Sequence, residues 1–308
     1  MIQHLKRPKK RTALAITLMV IATVVLALQA LFVKLASPYL STNFLCFSRF
    51  FINFVMLMIW VFISPTAPKA STLFRTTNYR HHAARSIFGV FAVYGFYLGI
   101  THLSLTTGTL IFFSFPLFVP LVARLWLRVR IVKRLWWGLG IAFLGLLFVL
   151  RPGEGVFNPF VIVPLIGAIF AGTASVAIRT LNYTEPWEKI TAFFFTFGVV
   201  VSAAILFLFP SHEIYTAKSL GYAFLVGFFA GIYQILLTIA AKFAPMRLIS
   251  PFVYLSFIFG AILQYFIWGQ TVPPGEILGF ALIVMGTALL VFLYPKNDLQ
   301  FHPPKKKP

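Results

Sequence analysis

The residues best placed to do chemistry are polar groups inside apolar runs. Tyr94 and Tyr97, Ser114, Thr173 and Ser175, Tyr233 and Gln234, and Tyr254 and Ser256 each fall near the middle of a run of about 20 apolar residues. Polar groups at that depth face other helices or an aqueous cavity, because hydrocarbon offers no hydrogen-bond partner. Each alone is equally well explained by an interhelical hydrogen bond of about 0.6 kcal/mol, whereas together they outline a substrate cavity. Lys34 and Arg49 lie near the outer end of the first two runs. A basic side chain there can snorkel to water. The functional alternative is a mouth that attracts an anionic or carboxylate-bearing solute, with Arg49 making a bidentate contact. Arg49 is the better candidate, because a charge inside a helix costs up to roughly 2.5–3.5 kcal/mol on a translocon scale and calls for a partner. Arg179 and Lys242 are the inward-side counterparts and, with the helix-kinking Pro116 and Pro251, form a candidate gating and hinge set. Pro120 and Pro164 also interrupt helices, and Gly95-x-x-x-Gly99 and Gly227-x-x-x-Gly231 permit close helix approach.

These residues do not assemble an enzyme. His4, His81, His82, His102, His212 and His302 are scattered, and the six carboxylates fall in loops or at helix ends rather than mid-membrane. Cys46 is the single cysteine, so neither an intramolecular disulfide nor a CxxC metal site can form. No GxxxxGK[ST] stretch occurs. The expectation is therefore no catalytic residue, no metal, no cofactor and no ATP hydrolysis.

The elements that must position the polar set are membrane helices. Of the 308 residues, 60% are hydrophobic and 10% charged, against about 25% charged in soluble domains. Apolar windows predict ten spans near 13–35, 43–63, 86–103, 106–126, 134–151, 157–180, 189–209, 219–241, 248–268 and 276–294. The first is read as a retained helix, since it is too long for a signal peptide. The basic residues, 26 against 6 acidic ones, concentrate on one side. They occupy the tail before residue 12, the loop 64–85 (Lys69, Arg75, Arg80, Arg85), and the cluster Arg124, Arg128, Arg130, Lys133 and Arg134. Arg179, Lys189, Lys242, Arg247, Lys296, Lys305, Lys306 and Lys307 continue the series. That asymmetry predicts a multi-pass protein with both termini cytoplasmic, and it accounts for the +20 charge without a nucleic-acid partner. Lys34, Arg49, Arg151 and Lys218 fall on the other side or in the outer half. Trp60, Trp126, Trp136, Trp187 and Trp268 fall at predicted helix ends, as interfacial aromatics should.

Laying residues 107–150 over 248–291 superposes Gly138 on Gly279 and Gly145 on Gly286, and a shift of 145 lays Lys34 over Arg179. The fold class expected is an all-α polytopic membrane protein of ten helices arranged as two inverted five-helix repeats. Residues 13–152 would form the first repeat, 153–295 the second, and 1–12 and 296–308 basic tails. An odd number of helices per repeat inverts the second half, which is a transporter signature. Lys34 closing the first helix, Arg49 in the second, FFSFPLFVPL with Pro116 in the fourth and the Gly-spaced fifth and tenth helices resemble the ten-helix EamA-type carriers of the drug/metabolite transporter superfamily. Where that family commonly has an acidic residue after helices four and nine, this chain has the Arg128–Arg130 region and Gln270.

The resemblance implies a secondary transporter, in the inner membrane of a bacterium, that alternates around a site between the two halves. With 37 phenylalanines and a basic mouth, the expected solute is a small polar or amphipathic metabolite bearing a carboxylate, such as an amino acid or an S-adenosyl compound. The bilayer and that solute are the expected partners, with room for a homodimer. The alternative is a non-transporting scaffold or a lipid-handling protein.

Overall fold

Backbone polar groups in hydrocarbon must be satisfied within their own segment, so apolar runs of this length fold as helices. The computed structural model describes residues 9–127, 135–150, 159–211, 213–244 and 246–293, and among them there is no strand. The helices are α1 (Lys9–Ala36), α2 (Thr42–Ile63), α3 (Tyr79–His102), α4 (Leu105–Phe112), α5 (Phe115–Leu127), α6 (Leu135–Leu150) and α7 (Pro159–Leu181). They continue as α8 (Trp187–Leu208), α9 (Ala217–Phe243), the single turn α10 (Met246–Ile249), α11 (Leu255–Trp268) and α12 (Pro274–Leu293). Eight apolar segments are long enough to cross a bilayer, and Trp136–Val149 and Pro274–Leu289 add two shorter ones, which matches the ten expected. The expected tails before residue 9 and after 295, the cluster Arg128, Arg130, Lys133 and Arg134, and Arg151 lie outside the described residues.

Local signals set the boundaries. Ser41 and Ser104 cap α2 and α4 by accepting the amides of Phe44 and Thr107, and Thr216 with Ser219 closes a capping box on α9. Gly269, at φ 64°, ends α11 in the left-handed conformation that favours glycine. Pro116 has no amide to bond the carbonyl of Phe112, so the fourth span breaks there into α4 and α5. Pro251 similarly lies in the 3-10 turn Ser250–Tyr254 that interrupts the ninth span, whereas Pro120 and Pro164 stay inside α5 and α7.

One boundary corrects the sequence reading. The third span was expected to begin at residue 86, leaving Arg80 and Arg85 in a loop. Instead α3 begins at Tyr79, and Arg85 is 3% exposed inside the bundle. A hydropathy window breaks at a charge, whereas the helix requires only that its backbone bonds continue and that the guanidinium find an interior site.

The main packing pairs are α3 with α7, α1 with α9, α6 with α12, and α2 with both α8 and α9. Glycines allow the closest of them. A Cβ on Gly95 would stand 2.9 Å from Gly167 Cα between α3 and α7, and one on Gly227 would stand 2.6 Å from Ile52 Cδ1 between α9 and α2. A Cβ on Gly145 would meet the Gly279 carbonyl at 2.6 Å, and one on Gly286 would meet the Gly138 carbonyl at 2.6 Å, so α6 and α12 cross on these four residues.

Basic caps and carboxylates tie the two ends of the bundle. At one end, Lys34 Nζ donates to the carbonyls of Ile100, Thr101 and Leu103 at 3.0, 3.3 and 2.6 Å, satisfying the last turn of α3. Beside it Glu213 accepts from the Ser41 amide at 2.7 Å and from the Ser41 hydroxyl. At the opposite end Arg179 Nη1 donates to the Ala241 carbonyl in the last turn of α9 at 2.9 Å, and Glu185 accepts from Thr76 Oγ1 at 2.5 Å. Below, these are called the Lys34 end and the Arg179 end.

Candidate functional site

A cavity of about 70 Å³ lies between the Lys34 and Arg179 ends. Its wall takes Gln29 from α1, Arg49 from α2, Arg85 and Phe96 from α3, Phe112, Phe113 and Phe115 from the α4–α5 break, Ser175 from α7, Phe194 from α8, and Tyr233 and Gln234 from α9. The break matters here, because Pro116 ends α4 and so turns consecutive phenylalanines into one wall. Discontinuous helices at a midplane site are a recurring carrier device.

Two guanidiniums dominate the chemistry. Arg49 and Arg85 are 4% and 3% exposed, and the Nε of each lacks a hydrogen-bond partner among the described residues. The Arg49 Cζ lies 5.5 Å from the ring centres of Phe50 and Tyr97, and the Arg85 Cζ lies 3.7 Å over Phe194. A desolvated cation–π contact is worth about 2 kcal/mol and does not replace the anionic partner that a buried guanidinium calls for. Among the described residues no carboxylate pairs with either guanidinium, and the ion pair found there joins Lys189 to Glu185 at the Arg179 end. What the arrangement can do is hold an anion. Beside them Gln29 Nε2 donates to Tyr97 Oη at 3.0 Å, and its Oε1, an acceptor without a partner among the described residues, suits a donor group of the solute rather than its anionic end.

The structure brings together Arg49, Ser175, Tyr233 and Gln234 from the expected set. Ser175 Oγ is committed to the Ala171 carbonyl at 2.7 Å, and Gln234 Nε2 donates to Thr238 Oγ1 at 3.2 Å. Tyr97 touches the site through Gln29 and Arg49. Tyr94 is buried and its hydroxyl has no partner among the described residues, but it is not on the cavity wall. Ser114 donates to the Ile111 carbonyl at 2.7 Å, Thr173 to Ile169 at 3.0 Å and Ser256 to Val253, so these three serve their own helices. Tyr254 Oη lies 3.3 Å from Thr287 Oγ1. Lys34 and Arg179 are helix caps at opposite ends, Lys242 is exposed near the end of α9, and Pro116 and Pro251 mark the two breaks.

Sequence reasoning missed Arg85, Gln29 and Gly89. A Cβ on Gly89 would stand 2.0 Å from Arg85 Nη1 and 2.8 Å from Phe194 Cε2, so the missing side chain leaves the groove in which the guanidinium lies. The available signal was the spacing of four between Arg85 and Gly89, which places them on one helix face.

The family model of the EamA-like transporter family matches residues 13–151 and 159–292. The chain is similar to the pseudopaline exporter of Pseudomonas aeruginosa, 25% identical over 67% of this chain and 72% of that protein. It is also similar to the S-adenosylmethionine uptake transporter of Rickettsia felis, 24% identical over 86% of this chain and 90% of that one. An uncharacterized transporter of Helicobacter pylori is 23% identical over 89% and 93%. A solved crystal structure superposes with a TM-score of 0.66 at 17% identity, over 91% of this chain and 96% of that one, and so shares the fold. With both matched segments together spanning nearly the whole polytopic helical chain, this protein belongs to the EamA-like transporter family, a family of transporters.

Proposed function

We propose that this transporter is a secondary carrier that moves a small amphipathic metabolite bearing a carboxylate, amino-acid-like or S-adenosyl-compound-like, by alternating access. The observation that carries this reading is the cavity wall, in which two buried guanidiniums without a described carboxylate face an aromatic lining. At about 70 Å³ the cavity has room for a few waters, whereas sites for drug-sized ligands run to about 300–1,000 Å³. In this reading the surrounding helices part as a metabolite loads, which is the movement that alternating access supplies. The relatives named for S-adenosylmethionine and pseudopaline support an organic metabolite as cargo.

An inverted repeat, residues 13–152 against 153–295, supports such a movement. In the proposed correspondence Gly138 answers to Gly279 and Gly145 to Gly286, and the contacts run crosswise, Gly145 on Gly279 and Gly286 on Gly138. Crosswise contact between equivalent positions is what a two-fold relation produces. Lys34 on the Ile100 carbonyl and Arg179 on the Ala241 carbonyl are like contacts made within each repeat, at opposite ends. The Arg179 end also carries Lys69, Arg75, Arg80, Arg124, Lys189 and Lys242, which supports a cytoplasmic assignment for it and for both termini, in a bacterial inner membrane.

The test is a melting-temperature screen of the purified protein against amino acids, nucleosides, S-adenosyl compounds, sugars and polyamines, followed by proteoliposome counterflow with whichever compound shifts it. A ligand at 100 times its Kd stabilises by about 2.7 kcal/mol. Arg49→Ala should abolish counterflow at unchanged protein abundance. Equal loss of abundance would make Arg49 structural, and no shift from any compound would favour a scaffold or lipid-handling role.

A further inference from the structure

We infer that Arg85 and Arg49 together form a receptor for two negative charges, so that the cargo carries a second acidic oxygen group beside its carboxylate. This rests on reading the same cavity as the transport site.

The placement of Arg85 is the reason. It lies six residues from the start of α3, about 9 Å along the axis, where a long basic side chain can reach the interface at little cost. Helical side chains also lean toward their own N-terminus, which for Arg85 is the Arg179 end. The side chain does the opposite. Its Nη1 lies over Gly89, one turn toward the bundle centre, and its Cζ stacks 3.7 Å over Phe194. A glycine without which the guanidinium could not lie there, and a ring that holds it, direct a charge away from water and onto the wall that Arg49 already occupies.

Two like charges on one small, largely apolar wall repel one another, and among the described residues no carboxylate pairs with either. Both Nε atoms belong to side chains more than nine-tenths buried and have no described partner. A monocarboxylate satisfies one guanidinium and leaves the other uncompensated. A ligand with two anionic groups satisfies both, each through the planar fork that favours carboxylate or phosphate. Within the proposed cargo classes the same field narrows the choice to acidic members and disfavours a net cation such as an adenosyl sulfonium amino acid.

The experiment follows the melting temperature of the purified full chain against succinate, inorganic phosphate at pH 8, acetate and chloride at matched ionic strength. Wild type is compared with Arg49→Gln and Arg85→Gln. Succinate or phosphate should raise the melting temperature saturably in wild type, and whichever acts more strongly identifies the second group as carboxylate or phosphate. Arg85→Gln should weaken that response by about thirtyfold or more while leaving the weaker acetate response intact, and Arg49→Gln should weaken both. If Arg85→Gln does not fold, Arg85→Lys keeps the charge without the fork and should still lower the preference for the dianion over acetate. No saturable dianion response in wild type, or an unchanged one in a folded Arg85 variant, overturns the inference. Counterflow of a neutral or cationic metabolite without dianion binding would sink the two-charge site and leave the carrier. Dianion binding with no counterflow of any compound would sink the carrier and leave the site.

Discussion

Gly89→Ala separates the function of the buried guanidinium from the stability of the fold. The new Cβ would stand 2.0 Å from Arg85 Nη1, 3.3 Å from Arg85 Cζ and 2.8 Å from Phe194 Cε2, all side-chain atoms and none of them backbone. The helices need not part, but Nη1 must retreat from 2.0 Å to at least 3.4 Å, which takes the guanidinium off the Phe194 ring. Alanine in a helix interior is worth about 1 kcal/mol over glycine, so the ligand-free melting temperature should stay level or rise. Ligand affinity should fall, because losing one charged contact to a bound anion costs about 2 kcal/mol or more, close to thirtyfold in Kd. The assay is ligand-dependent thermal shift with counterflow in proteoliposomes. Gly140→Ala is the control, since nothing lies within 4 Å of its added Cβ. A Gly89→Ala protein with wild-type ligand affinity and counterflow would refute the role given to Arg85. A large drop in ligand-free stability would refute the argument that the clash is relieved by side chains.

Two further predictions concern the frame. Gly145→Val should lower stability by about 1–3 kcal/mol, because its Cβ meets the Gly279 carbonyl at 2.6 Å and the Ile283 amide nitrogen at 2.7 Å, and backbone cannot yield without separating α6 from α12. Thermal melts beside Gly140→Val measure it, and equal melts would show the crossing to be looser than described. Lys34→Met keeps most of the side-chain length but strips the donor from the carbonyls of Ile100, Thr101 and Leu103, which should cost about 1–3 kcal/mol. Lys34→Arg should restore most of it, and an unchanged melt in Lys34→Met would mean that water takes over the cap.

The sequence by itself determined the helical character of the chain and its number of apolar segments, because a bilayer admits a single local solution for runs of this length and hydropathy carries it without tertiary information. It also showed Arg49 as a charge inside a helix, and the glycine spacing that the crossing of α6 and α12 uses. The tertiary structure alone decided which polar residues share a cavity. Tyr94 and Tyr97 differ by three positions on α3, yet neither is on the wall, while Arg85 is, and a hydropathy window excluded it from the membrane for the very charge that gives it a role. Depth in the bilayer is a property of one helix and can be counted along it. Facing is set by how helices rotate against one another, and that depends on glycines such as Gly95 and Gly167 meeting across α3 and α7, a match between distant segments that no local window contains.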